Sequence, residues 1–132
     1  MRNKAMWINH SFEADYITKV TAHLIGEQDF ASFCKTISRN NGTVRKIESI
    51  DVTERDELII IRFRANSFLH NMIRIIVGTT IQMYRENRDP DYIKQILNER
   101  DRTASGFTAP PYGLYLNNIT YNPPLNFFES AF

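Results

Sequence analysis

Between Leu58 and Ala65 the chain alternates strictly. Ile59, Ile61, Phe63 and Ala65 fall on one side of an extended backbone, and Leu58, Ile60, Arg62 and Arg64 fall on the other. A strand sends successive side chains to opposite faces, so this run predicts a strand. Its second face passes from aliphatic to basic, which predicts burial at one end and exposure to solvent or ligand at the other. Directly afterwards the period lengthens. Leu69, Met72, Ile73, Ile76, Thr80 and Met83 form the stripe of an amphipathic helix from Phe68 to about Tyr84, with Asn66 or Ser67 as its cap.

Weaker patterns fill in the rest. Ser11 can cap a helix through Leu24, with Ile17, Val20, Thr21 and Leu24 on one face and Gly26 as the stop. Asp29 to Phe33 suits a short helix, and Asn40-Asn41-Gly42 a turn. Thr43 to Thr53 reads as a half-buried strand through Ile50 and Val52, closed by the polar turn Glu54-Arg55-Asp56-Glu57. Asp89-Pro90 opens a helix to about Glu99 with Ile93, Ile96 and Leu97 inward. Arg100 to Tyr112 is a long loop, and Gly113 to Tyr121 a final strand. The last residues, with Phe127, Phe128 and Phe132, are too aromatic for a free tail. The order predicts one α+β domain over residues 1–132, its helices packed on a mostly antiparallel sheet.

Composition changes this picture little. A chain of 132 residues with 42% hydrophobic and 23% charged residues is long enough to bury a core. The net charge of +1 hides a basic stretch, since Leu58 to Arg85 holds Arg62, Arg64, Arg74 and Arg85 and no acid. Cys34 is the single cysteine, and His10, His23 and His70 show no ligand spacing, so the expectation is no disulfide framework and no metal. Arg2, Asn3 and Lys4 lead into no continuous apolar segment, and no apolar run is long enough for a bilayer. A cytoplasmic protein is expected, in which the sequons at Asn41 and Asn118 are chance matches.

Candidate chemistry centres on Arg74. Packing alone would want an aliphatic residue in this apolar helix, and a guanidinium stays charged at any cellular pH. His70 lies one turn before it, Asn71 three residues before, and Gly78 one turn after. Either Arg74 snorkels to solvent, or it serves an anion in a cleft with His70 and Asn71 as hydrogen-bonding neighbours. A glycine inside a helix costs about 0.5–1 kcal/mol relative to alanine, so Gly78 implies a compensating close approach of another backbone. Leu114 and Leu116 either feed the core or wall a pocket for a planar ligand. Asp29 reads as a capping or solvated group rather than an acid/base catalyst. Taken alone, these residues give an arginine-centred anion site and no reaction.

Three segments resemble the tRNA pseudouridine synthase A family. Gly26-Glu27-Gln28-Asp29-Phe30-Ala31-Ser32-Phe33 looks like its "GEHDFxxF" segment, and Phe63 to Gly78 is similar to "FxAxxFLxxMVRxxVG". Asp101-Arg102-Thr103-Ala104, Thr108-Ala109-Pro110 and Gly113-Leu114-Tyr115-Leu116 resemble "DRxxAxxTAPxxGLYL". Gln28 stands for the usual histidine, Ile73 for valine and Ile75 for a frequent asparagine. The resemblance implies a C-terminal-type domain of an enzyme that isomerises uridine to pseudouridine in the anticodon arm of tRNA, without metal or organic cofactor. It implies Arg74 as the active-site arginine, paired with an aspartate from an N-terminal domain, in a segment like "RTDxGVHA" that nothing here matches. Leu114 or Leu116 would line the pocket for a flipped base. Arg62 and Arg64 are candidate phosphate contacts on charge alone, and His70 and Asn71 candidate RNA-binding neighbours. The implied partners are tRNA, that N-terminal domain and, in the full-length protein, a second copy as homodimer; no membrane is implied. The alternatives are a non-catalytic RNA-binding module or an interaction domain. A chain with the face for its other half left bare is expected to self-associate.

Overall fold

The strand predicted from strict alternation forms with the expected bounds: β4 spans Leu58–Ala65 in the computed structural model, which describes residues 2–9, 13–35, 42–56 and 58–110. It lies inside a four-stranded antiparallel sheet of order β1-β4-β3-β2, where β1 is Arg2–Asn9, β2 Gly26–Asp29 and β3 Val44–Arg55. Three helices, α1 (Ala14–Ala22), α2 (Met72–Arg85) and α3 (Tyr92–Glu99), pack with the sheet in an α+β fold. Short 3-10 turns occupy Ala31–Phe33 and Arg102–Ala104.

Alternation decides which face meets the helices. Ile59, Ile61, Phe63 and Ala65 of β4 join Met6 and Ile8 of β1 and Ile47 of β3 in the core, together with Ile17 and Val20 of α1 and most of α2. On the opposite face of β4, Ile60 is still buried while Arg62 and Arg64 are exposed, so the aliphatic-to-basic gradient translates into a burial gradient. β3 keeps Ile47, Ile50 and Val52 on the inner face although Ile47 and Ile50 differ in parity. A register shift between Ile47 and Ser49 inserts Glu48 as a bulge and restores the phase.

Two strands have no counterpart in the periodicity. β1 begins Arg2-Asn3-Lys4, and only Met6 and Ile8 mark its inner face. β2 reads Gly-Glu-Gln-Asp and owes its conformation to pairing with β3, entered through Gly26 at φ 108°. Gly26 therefore opens a strand besides following α1. That helix runs from Ala14, not from Ser11, which lies outside the described residues.

The second helix also departs from expectation. It starts at Met72 rather than Phe68, and neither Asn66 nor Ser67 caps it. Asn66 instead serves β3: its backbone N–H donates to the Lys46 carbonyl, and its Oδ1 accepts from the Lys46 N–H. The inward stripe from Leu69 to Met83 is buried as expected, but Ile75, Val77, Gly78, Thr79 and Ile81 are buried as well. α2 is covered on a second side, by the loop that follows residue 104. α3 buries Ile93, Ile96 and Leu97, and the Asp89 carboxylate accepts from the Asp91 N–H at its entrance. No helix among the described residues is long and apolar enough to cross a membrane. The exposed large hydrophobics among them are Ile25, Val44 and Phe107. The final strand expected over Gly113–Tyr121, with Leu114 and Leu116, and the aromatic tail lie outside the described residues.

Candidate active-site arginine and its bracket

α2 begins at a sharp corner. Asn71 precedes its first residue with φ 59° and ψ 12°, the left-handed conformation that asparagine tolerates better than most residues. Its carbonyl accepts from the Ile75 N–H and so joins the helix ladder. The same corner throws the Asn71 side chain back toward the first turn, where Oδ1 accepts from Arg74 Nη1 at 3.3 Å.

A second oxygen reaches Arg74 from the loop. Arg74 Nε donates to the Ala109 carbonyl at 2.7 Å, and the Ala109 N–H donates in return to the Arg74 carbonyl at 2.9 Å. Loop and helix then stay in contact for a further turn. A Cβ on Gly78 would lie 1.9 Å from the Phe107 carbonyl oxygen, so only glycine admits this approach. Gly106 is tight from the other side: its Cβ would lie 2.9 Å from Thr79 Cα, and its N–H donates to Thr79 Oγ1. The glycine that looks costly in a helix interior is the seat of the loop.

The loop holds its shape through a different arginine. Arg102 Nη1 donates to Ser105 Oγ and the Gly106 carbonyl, both at 2.8 Å, and Nη2 donates to Thr108 Oγ1 at 3.1 Å. Asp101 caps this turn by accepting from the Thr103 N–H, and its own N–H donates to Ser32 Oγ, which donates to the Ile96 carbonyl. Three short segments are thereby tied together beside α2.

Arg74 is half-buried, and among the described residues it has no carboxylate within ion-pair distance. No described residue accepts from its Nη2. His70 lies exposed at the corner before Asn71. Arg62 and Arg64 do not join this group. They leave the face of β4 opposite the helices and border a groove of about 260 Å³ with Asn3, Ser49 and Asp51. Acids stand close by: Arg62 is paired in register with Asp51, and Arg64 Nε lies 3.9 Å from Glu48 Oε2. Asp29 takes its structural part, accepting from the Ala31 N–H and from Thr43 Oγ1. Among the described residues no group of three or more His, Cys, Asp or Glu side chains lies placed to hold a metal ion.

The elements that build this bracket fall within one matched stretch: a family model described as tRNA pseudouridine synthase covers residues 20–122. The chain belongs to that family. Its relatives include tRNA pseudouridine synthase A of Exiguobacterium sibiricum, 40% identical over 120 residues, which cover 91% of this chain and 48% of the relative. tRNA pseudouridine synthase A 1 of Bacillus cereus is 40% identical over 121 residues, 92% of this chain and 49% of that protein. The Ehrlichia canis tRNA pseudouridine synthase A is 34% identical over 119 residues, 90% of this chain and 49% of the relative. The chain thus spans about half the length of the curated relatives it matches. The sequence pattern singles out Arg74, Asn71 and Gly78 but gives no part to Arg102 or the Ala109 carbonyl. Their signal in the sequence is the motif resemblance over Asp101-Arg102-Thr103-Ala104 and Thr108-Ala109-Pro110, which assigns them no role.

Proposed function

We propose that this chain contributes one side of a tRNA pseudouridine synthase active site, in which Arg74 pairs with a carboxylate carried by the other half of the enzyme. The observation that carries the reading is the guanidinium itself, half-buried and held by two uncharged oxygens with no carboxylate partner among the described residues. An arginine so held keeps a facing aspartate ionised and oriented. The aspartate then serves as nucleophile toward a uridine flipped out of its helix. The isomerisation breaks the N1–ribose bond and remakes it at C5, with the C5 proton lost and one gained at N1. It needs no oxidant, reductant or cofactor.

Leu114 and Leu116 are assigned to the wall of the base pocket, and His70 to its rim. Arg62 and Arg64 are assigned to phosphates on another face of the same domain, where a substrate as large as tRNA can reach. The enzyme acts in the cytoplasm, as a homodimer when full length. The relatives' names, all tRNA pseudouridine synthase A, support the substrate class.

The test is reconstitution. This chain alone should form no pseudouridine in tRNA, and adding the aspartate-bearing half should restore it, read as tritium released from C5-labelled uridine. Arg74→Ala in the reconstituted enzyme should lower the rate by about 10²–10³-fold, the loss seen when one preorganised donor is removed. Its tRNA affinity should change only a few-fold. Turnover by the chain alone would overturn this division of roles.

A further inference from the structure

We propose that Asn71 is a positioning residue that acts through Arg74, and that loop 105–109, folded by Arg102, is the second arm of the same bracket. The inference rests on the active-site reading of Arg74 and adds what holds that side chain in place. A guanidinium is a rigid plane, so two acceptors on different nitrogens fix its tilt as well as its position. The Ala109 carbonyl takes Nε and Asn71 Oδ1 takes Nη1, which leaves Nη2 to the incoming anion. Both acceptors are neutral, so they orient the charge without cancelling it.

The backbone geometry supports a dedicated part for Asn71. At φ 59° glycine would be the least strained residue, and asparagine adds to that corner an amide oxygen that lands on Arg74. The other arm is no passive loop. Arg102 directs its hydrogen bonds to Ser105, Gly106 and Thr108, all oxygens of the segment that presents Ala109. Gly78 and Gly106 let that segment sit directly on the helix carrying Arg74. Asn71 therefore meets Arg74 rather than RNA, and Arg102 is a structural guanidinium rather than a phosphate contact.

Asn71→Gly separates the roles, because it keeps the backbone corner and removes the side-chain amide that holds Arg74. In the reconstituted enzyme at saturating tRNA, the single-turnover rate should fall about 10- to 100-fold, as misplacement of a catalytic group does. The dissociation constant for tRNA and the melting temperature should stay unchanged. Asn71→Asp should lower the rate further, since its carboxylate competes for the guanidinium. If either variant instead weakens tRNA binding while the saturated rate holds, Asn71 contacts RNA and the proposal fails. A second measurement needs no activity. In this chain the Nε–H of Arg74 should exchange with solvent more slowly than those of exposed arginines by NMR, and Arg102→Gln should abolish that protection. Fast exchange in the unsubstituted chain would overturn the bracket whether or not the active-site reading stands.

Discussion

Gly78 shows how one residue answers to two opposed demands. Alanine there would raise helix propensity by about 1 kcal/mol. It would also place a Cβ 1.9 Å from a carbonyl oxygen of the loop, which has no room to yield without leaving α2. Overpacking typically costs about 1–3 kcal/mol, so Gly78→Ala should be destabilising in net, by urea or thermal unfolding. A gain in stability would mean that the loop is not seated as described. Tyr16 supplies a pH signature at the same scale. Burial, and then the neighbouring Asp89 carboxylate, hold its phenol above the usual value of 10.0, while its hydroxyl donates to the Arg88 carbonyl. The unfolded chain releases this proton at lower pH than the folded one. The stabilisation is therefore present below pH 10.0 and is lost as pH rises from there through the raised folded value. Tyr16→Phe should flatten that part of the stability–pH curve.

Elements are legible in the sequence where their own residues decide them. β4 owes its bounds to strict alternation, and α3 and the buried stripe of α2 to spacings of three and four. β2 has no apolar residue to announce it, and only hydrogen bonding to β3 makes it a strand. The apolar stripe beginning at Leu69 points to an early start for α2, whereas the left-handed Asn71 forces the helix to begin at Met72. Arg74 is legible as an anomaly, and Gly78 as a sign of close approach. The identity of the approaching segment, residues 106–109, depends on tertiary docking and leaves no periodic trace. That docking is testable through Thr79, whose buried hydroxyl accepts from the Gly106 N–H at 2.9 Å. Thr79→Val keeps the shape but leaves that N–H unpaired, and should cost about 1–3 kcal/mol. Combined with Gly78→Ala it should cost less than the sum, since both changes undo the same seating of the loop.

On the scale of the molecule, the sheet separates two kinds of arginine. Arg74 lies among the helices, and Arg62 and Arg64 lie on the far face, where Asp51 and Glu48 moderate their charge. Under the proposed function, their contribution to tRNA binding should be electrostatic and unspecific. Replacing both by glutamine should reduce the slope of log affinity against log salt by about 1 for each phosphate left without its cation. The rate at saturating tRNA should not change. An unaltered slope would remove the far face from the RNA footprint.

The bulge between Ile47 and Ser49 has a consequence for how β3 tolerates change. Glu48 points to solvent, and exchanging it for another residue should matter little. Omitting it leaves the inside-outside code intact as well: Ile47, Ser49 and Ile50 would face Ala65, Arg64 and Phe63 in plain succession, so Ile50 and Val52 stay inward and Asp51 outward. A single surplus residue thus reconciles core positions an odd number of residues apart, and only the local bend and added twist of the strand depend on it.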